Sequence, residues 1–305
     1  MARRAPAVER TVALLDFLSA HPSQSFSLSE LARRLGINKA TGHAMVCTLA
    51  DAGYLVRHPR DKTYSLGPAL IAVGHAAAAR QFEAVEFASD QMRGLSEELG
   101  LQCVASTTMG DEIVLLASSG ESEPFGLRVQ VGERLPLAPP FGTVFMAWAP
   151  PEEIESWLRR LGPNASASDL ERYRRALATI RERGYSLAME ADARRKLGKA
   201  LAQLDRDVTS AAELRRIVEG LVAELGHEEY ILSELETSAS YRLAHIAAPV
   251  FGPDGRVVLA LTLIGFPGQL SAEQVPAQAR SLCEAAARVT RSLRGRPPGE
   301  ERVAV

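Results

Sequence analysis

Apolar residues recur at helical spacing three times near the start of the chain. The three sets predict helices over residues 7–20, over a short segment before Gly36, and over residues 39–52. Their apolar members are Val8, Val12, Leu15, Leu18, Leu28, Leu31, Ala32, Leu35, Met45, Val46 and Leu49. Because each set falls on one side of its helix, the three helices can share one small core.

Capping signals mark where these helices begin and end. Ser27 and Glu30 have the spacing of a capping box, in which a hydroxyl and a carboxylate satisfy two backbone amides reciprocally. Gly36 can end the second helix in a left-handed conformation, and Asn38 can cap the third helix. A short turn, with Ile37 filling its corner, therefore joins the second and third helices.

After Gly53 the apolar pattern changes from a helical period to alternation. Tyr54–Arg57 and Thr63–Leu66 are predicted to be strands, with the charged tip His58–Lys62 between them. Two helices joined by a short turn and followed by a hairpin form a winged helix-turn-helix. The second helix of such a pair enters the major groove of DNA by its N-terminal residues.

Polar side chains near the start of the third helix can reach base edges or phosphates, and the basic hairpin tip can reach phosphates. The residues predicted to contact DNA are Ser27, Asn38, Lys39, Thr41, His43, Arg57, Arg60 and Lys62. Charge supports this interpretation, since residues 1–80 hold ten Lys and Arg against five Asp and Glu, whereas the remainder holds 25 against 32. The alternative is a head that uses its charged loop to contact a protein.

Residues 68–80 continue in a helical pattern rich in alanine, with Leu70, Ile71 and Val73 as its larger apolar residues. Such a surface suits a helix that packs against its twin in a dimer, because a palindromic operator needs two heads in register. The alternative is packing of this helix against the second domain of the same chain.

The rest of the chain combines predicted helices with strand pairs. Predicted helices cover residues 82–99, 142–149, 151–161, 168–184, 211–226 and 271–294. Predicted strands cover residues 101–107, 112–117, 126–131, 243–250 and 257–264. The turn at residues 252–255, between two apolar runs, is a strong hairpin signal. Hairpins flanked by helices indicate an α+β domain with an antiparallel sheet.

These patterns together predict a two-domain α/β protein. The winged helix-turn-helix takes residues 1–67, the linker helix residues 68–80, the α+β domain residues 81–294 and a disordered tail residues 295–305.

Several features narrow the function classes. Cys47, Cys103 and Cys283 are far apart and odd in number, so we expect no disulfide framework, no metal site and a reducing cytoplasm. The longest nearly uncharged stretch, residues 68–79, is too short to span a bilayer. The sequence has no nucleophile-elbow, phosphate-loop, dinucleotide-binding or zinc-protease motif, so we expect no enzyme and no cofactor. The alternative is an enzyme or small-molecule sensor whose head serves for protein interaction.

The head contains five short motifs in a fixed order, at Ser27–Glu30, Leu31–Ile37, Thr48–Leu49, Gly53–Leu55 and Tyr64–Gly67. Together they resemble the motifs of IclR-type bacterial transcriptional regulators. The resemblance implies a winged domain that binds double-stranded operator DNA, a GAF-like effector-binding domain, and a dimer or tetramer. Two positions depart from the family, which commonly has Val at Gly42 and Arg at Ala44. Base readout is therefore expected to depend more on Thr41 and His43.

In the second domain the resemblance is carried by Ile246–Val250 and by Leu137–Thr143, which lacks the family's His and Lys. The family's effector lies between the curved sheet and this second segment, with polar groups from late strands. The residues that the resemblance implies for binding are Gly142, Thr143, Glu234, Glu236, His245 and Thr262. His245 and Thr262 also fit structural roles, and the two glutamates fit a solvated surface. A small organic acid or aromatic effector is implied, and the segment at 192–227 is extra length without an assigned role.

Overall fold

A computed structural model describes residues 5–19, 21, 24–81, 83–120, 131–163, 165–190, 220, 231–232 and 234–298. Its contacts divide the chain into two compact units. The first includes Met1–Phe82, and the second includes Glu83–Ala200 and Val218–Val305. Within the described ranges, no helix has the length and apolar character needed to cross a membrane.

The first unit is the head. Its elements are α1 (Pro6–Ser19), β1 (Phe26–Ser27), α2 (Leu28–Arg34), α3 (Lys39–Asp51), β2 (Leu55–Arg57), β3 (Thr63–Leu66) and α4 (Ala69–Gln81). The three helices and the hairpin predicted from the sequence are thereby confirmed, and α4 confirms that the segment after the wing is helical. The strand β1 was not predicted, because two residues are too few to show alternation. It pairs antiparallel with β3, which gives the sheet order β1-β3-β2.

The core of the head takes residues from α1, α2, α3 and all three strands. Its buried members are Leu14, Leu18, Phe26, Leu31, Val46, Leu55 and Tyr64. The prediction that Val8 and Val12 share the buried side of α1 is wrong, since their side chains are 60% and 50% exposed. Leu18 is buried as predicted, at 2% exposed, and Leu14, which was not selected, is 1% exposed, because only the C-terminal half of α1 packs on the core.

The second unit combines an antiparallel sheet with helices. Its helices are α5 (Glu83–Leu99), α6 (Thr143–Met146), α7 (Pro151–Leu158), α8 (Ala167–Arg183) and α9 (Gln274–Ser292). Its strands are β4 (Gln102–Met109), β5 (Glu112–Ser119), β6 (Arg134–Pro136), β7 (Ser186–Met189), β8 (Ser240–Tyr241), β9 (Leu243–Phe251), β10 (Val257–Ile264) and β11 (Leu270–Ser271). Six of these strands form one sheet in the order β6-β5-β4-β10-β9-β7, and every neighbouring pair is antiparallel. The predicted antiparallel α+β domain is confirmed.

One strand beside β5 was not predicted from the sequence. The third strand beside β5 is Arg134–Pro136, where the sequence pattern placed the end of a turn. Three residues that include a proline carry too little alternation to be recognised, and the same applies to β7, β8 and β11. Residues 126–130, the tail at 299–305 and the segment at 192–227 lie outside the described residues, apart from Gly220, which is helical.

The two faces of the large sheet are covered differently. On one face, alternate residues such as Ile246 and Leu261 pack with α5 and α9 and are fully buried. The opposite face carries Ala247 and Ala260, which pack against a second core built on α6, α7 and α8. We call this second face the α6 face. Because strand side chains alternate, each strand presents every second residue to it.

Candidate nucleic-acid interface and effector site

The start of α3 presents polar side chains to solvent. Asn38 caps the helix, since its Oδ1 accepts a hydrogen bond of 2.8 Å from the backbone amide of Thr41. Asn38, Lys39 and His43 are exposed, and Thr41 is half-buried. The sequence placed these four side chains near one helix start, and the structure brings them together there.

Ser27 and Glu30 form the predicted capping box at the start of α2. The Ser27 hydroxyl donates to Glu30 Oε2 at 2.7 Å and accepts from the Glu30 amide at 3.3 Å, while the same carboxylate accepts from the Ser27 amide at 2.8 Å. These bonds lower the pKa of Glu30, with smaller help from Arg34 and Arg33. Because the hydroxyl of Ser27 has one proton, donating it to a phosphate would require breaking the bond to Glu30.

Gly42 lies on the buried side of α3, where it allows α2 and α3 to pack closely. A Cβ atom built on Gly42 would lie 3.3 Å from Leu28 Cδ1, 3.4 Å from Ile37 Cδ1 and 3.7 Å from Ala32 Cβ. Leu28, Ile37 and Ala32 therefore fit the glycine that this chain has in place of the family's Val. Close packing fixes how far α3 stands out from the head.

The outward side of α3 holds residues that the sequence reasoning did not select. Ala40, Ala44 and Thr48 are exposed, and Cys47 is half-buried. On the helical wheel Ala44 and Thr48 lie nearly opposite the buried Val46, and Ala40 and Cys47 lie to one side of it; this spacing is the signal that could have found them. Among these four residues, only Thr48 and Cys47 carry polar side-chain atoms. All four side chains are short, so this part of the helix surface is mostly apolar.

The wing presents three exposed cations at its tip. Arg57, Arg60 and Lys62 are all exposed, as the charge pattern predicted. The tip is closed by backbone hydrogen bonds from His58 to Thr63 at 2.8 Å and from Lys62 to His58 at 2.9 Å. Lys62 has a φ of 55°, in the left-handed region that favours glycine. The charge of the wing is thus held on a turn of defined shape.

Thr143 begins α6, directly after Gly142, which has a φ of 83°. This positive φ favours glycine, and a Cβ at Gly142 would also press on Leu137 Cδ1, so that the end of the leucine side chain would have to shift. The Thr143 hydroxyl lies 3.0 Å from the Ser186 hydroxyl, and both side chains are buried. This contact places Thr143 beside the α6 face of the sheet.

His245 and Thr262 lie on the same α6 face. Thr262 pairs with Ala247, which pairs in turn with Ser186, so these three residues form one row across β10, β9 and β7. Two strand spacings separate Thr262 from Ser186 in this row, or about 10 Å. His245 stands in the adjacent row and is half-buried, as is Thr262. The structure therefore brings together three of the side chains implied for the effector.

Other polar residues of this face were missed. Gln102, Ser106 and Ser118 lie on the α6 face of β4 and β5, because Ser106 pairs with Ala260 and Ser118 with Val104, the partner of Thr262. Gln102 Nε2 donates to Ser118 Oγ at 2.7 Å. Polar residues at alternate positions of β4 are the signal that could have found them.

Glu234 and Glu236 lie in the segment before the late strands. Both are exposed and precede β8, so they do not belong to the late strands β9 and β10. The Glu236 amide donates to the Tyr241 hydroxyl at 2.5 Å. Their exposure agrees with the alternative of a solvated surface, and their part in effector binding stays a prediction.

Two family models match the chain. The IclR helix-turn-helix domain matches residues 7–59, and the model described as bacterial transcriptional regulator IclR C-terminal matches residues 76–195. Among curated proteins, the HTH-type transcriptional regulator XynR of Escherichia coli strain K12 is 26% identical over 188 residues, which cover 60% of this chain and 74% of that protein.

Solved structures share the fold over nearly the whole chain. An IclR transcriptional regulator from Alicyclobacillus acidocaldarius is 23% identical with a TM-score of 0.64, over 96% of this chain and all of that one. An IclR homologue from Microbacterium hydrocarbonoxydans, crystallised with 4-hydroxybenzoate, is 21% identical with a TM-score of 0.61. Its match covers 94% of this chain and 99% of that one.

Proposed function

Because the chain belongs to the IclR-type transcriptional regulators, which have a DNA-binding helix-turn-helix domain and a C-terminal effector-binding domain, we propose which of its surfaces perform these two tasks. The start of α3 and the wing hold operator DNA. The α6 face of the sheet holds a small organic effector. No catalytic step is assigned to either surface.

The exposed polar start of α3 beside a cationic wing is the observation that carries the proposal. Asn38, Lys39, Thr41 and His43 offer donors for base edges and phosphates, while Arg57, Arg60 and Lys62 supply phosphate contacts. Lysine and arginine on phosphates give affinity without sequence preference, so Thr41 and His43 carry the readout. Ser27 supports this surface chiefly by capping α2.

The effector proposal rests on the buried hydroxyls and the polar row of the α6 face. Thr143, Ser186 and Thr262 offer hydroxyls, and His245 and Gln102 offer polar groups that accept or donate hydrogen bonds. A homologue of similar fold carries 4-hydroxybenzoate, which is both an acid and an aromatic. A small aromatic or organic acid is therefore the effector class that we propose here.

Self-association through α4 completes the proposal. Ile71 and Val73 are 74% and 48% exposed, so α4 presents large apolar side chains to solvent. A dimer would cover them and would place two heads on a two-fold symmetric operator. We propose that effector binding changes the spacing of the two heads in such a dimer, and that the regulator acts in the cytoplasm, where its DNA is.

Binding of the full chain to its own upstream DNA tests the DNA surface. We expect retardation in a gel that weakens as salt rises, and Lys39→Ala and Arg60→Ala should each reduce the dependence of log Kd on log salt by about one. Arg93→Ala is the matched control, because it removes an exposed arginine from α5 in the second unit. Absence of salt-sensitive binding would favour a head that contacts protein instead.

A thermal-shift screen of small aromatic and aliphatic acids tests the effector site, because a ligand of the folded state raises the unfolding temperature. Calorimetry with a ligand so found should show weaker binding to Thr262→Val and Ser186→Ala. Ser89→Ala, which removes an exposed hydroxyl from α5, should bind as the parent does. Equal affinity in all three variants would place the site elsewhere.

A further inference from the structure

His43 and Cys47 lie one turn apart on the outward side of α3, where i and i+4 side chains meet. The sulfur of Cys47 is 3.7 Å from both ring nitrogens of His43. His43 is exposed and Cys47 is half-buried, so both can be reached from solvent. The three cysteines alone have no metal-ligand spacing, but this mixed pair has one.

The distance between the two side chains suits a shared metal ion. In a tetrahedral site with zinc–sulfur bonds of about 2.3 Å and zinc–nitrogen bonds of about 2.0–2.1 Å, the two ligand atoms are about 3.6 Å apart. The sulfur is equally distant from Nδ1 and Nε2, so a rotation of the exposed ring is needed to turn one nitrogen toward the ion. Ala40 and Ala44, the neighbours on this side, leave room for that rotation.

We propose that His43 and Cys47 chelate a thiophilic divalent cation such as Zn²⁺, and that this chelation competes with binding of operator DNA. The competition rests on the proposed role of α3, because the imidazole that ligates the ion is the one assigned to the DNA. The thiol gives its proton to solvent when the ion binds, and no oxidant or reductant takes part. Among the described residues no third His, Cys, Asp or Glu completes the group, so water fills the remaining positions.

The other two thiols are poor competitors for the ion. Burial raises the pKa of Cys103 to about 12 and that of Cys283 to about 11. An ion must displace the thiol proton in order to bind, and the raised pKa values make this displacement harder at Cys103 and Cys283. Metal binding through sulfur is thus directed to Cys47.

Titration of the full chain with Cd²⁺ tests the site without DNA, because cadmium bound to thiolate gives an ultraviolet charge-transfer band. We expect one equivalent of band per chain, lost in Cys47→Ser and weakened in His43→Ala. Cys283→Ser is the matched control and should keep the full band. A parent without the band, or a Cys47→Ser variant that retains it, would overturn the site.

Measurement of the affinity for DNA with and without Zn²⁺ tests the competition. The two dissociation constants are compared within each variant. Saturating Zn²⁺ should weaken the parent about tenfold, which is the loss expected when one base contact is removed, and a chelator should reverse it. Cys47→Ala should show a ratio near one, and Mg²⁺ should not substitute for Zn²⁺. A cadmium band without any zinc effect on DNA affinity would overturn the competition, whereas failure to bind DNA without metal would instead contradict the proposed function.

Discussion

The hydroxyl oxygens of Thr143 and Ser186 lie 3.0 Å apart in a buried contact that joins α6 to the outermost strand β7. Thr143→Val keeps the shape of the side chain but leaves the Ser186 hydroxyl without this partner. Because an unpaired buried hydroxyl loses its hydration, we expect the free energy of unfolding to fall by about 1–3 kcal/mol. Urea denaturation measures the change.

Two variants separate this hydrogen bond from simple packing. Thr143→Ser keeps the hydroxyl and should retain the bond, while Thr143→Val combined with Ser186→Ala removes both partners. The double variant should be more stable than the sum of the single changes implies. If the losses in the free energy of unfolding were strictly additive, the two hydroxyls would not depend on each other.

Two substitutions of Gly42 should separate the effect of helix propensity on stability from the effect of steric crowding. Gly42→Ala places a Cβ 3.3 Å from Leu28 Cδ1, a side-chain end that can shift by a few tenths of an ångström. Alanine in a helix interior gains about 1 kcal/mol over glycine, so this variant should be at least as stable as the parent. Gly42→Val adds two further carbons against Leu28 and Ile37 and should lose about 1–3 kcal/mol. Thermal unfolding compares the two, and a stable Gly42→Val variant would contradict the tight packing.

The capping box should make the stability of the head depend on pH in the acidic range. The pKa of Glu30 is lowered in the folded chain by the Ser27 hydroxyl and amide, so its stabilisation is present above the ordinary glutamate pKa of about 4.3. It is lost as the pH falls through the lowered folded value. The difference in stability between the parent and Glu30→Gln should therefore shrink on acidification, as unfolding titrations would show.

Ser27→Ala provides the control for this dependence. It removes the hydroxyl that caps α2 and should cost about 1 kcal/mol near neutral pH. In this background Glu30→Gln should have a smaller effect. An unchanged effect would mean that the lowered pKa of Glu30 arises from the backbone amide of residue 27, Arg33 and Arg34 rather than from the Ser27 hydroxyl.

Lys62→Gly should weaken DNA binding without weakening the fold. Lys62 has a φ of 55°, which glycine adopts freely, so stability should stay constant or rise by up to about 1 kcal/mol. The loss of one cation should still lower the salt dependence of DNA binding. Arg60→Gly removes the same charge at a residue without positive φ and should lose stability as well. Equal losses of stability in Lys62→Gly and Arg60→Gly would contradict this interpretation of the wing tip.

Alkylation of the folded protein should label Cys47 before Cys103 and Cys283. Burial holds Cys103 and Cys283 protonated, with pKa values of about 12 and about 11, so at pH 8 their thiolate forms are scarce. Cys47 and Cys283 are both half-buried, but the Cys283 thiol also donates to the Gly184 carbonyl at 3.9 Å, so Cys47 should react first. Peptide mass spectrometry after a short treatment with iodoacetamide identifies the site, and early labelling of Cys283 would contradict the burial argument.

The head was largely predictable because its signals are local. The capping pair Ser27 and Glu30, the turn at Gly36 and the alternation after Gly53 each depend on residues close in sequence, and all agree with the structure. The buried side of α1 was assigned incorrectly at Val8 and Val12. Helical spacing identifies an apolar stripe, but it does not say which turns of that stripe meet the core.

By itself, the sequence determined the family, the order of the domains, the winged head and the antiparallel character of the second unit. Only the tertiary structure decided that Thr143 meets Ser186 and that Thr262 and Ser186 share one row. The physical reason is the range of the interactions. Caps, turns and periodicity are written in neighbouring residues, whereas strand register and contacts between distant segments arise when the whole chain packs.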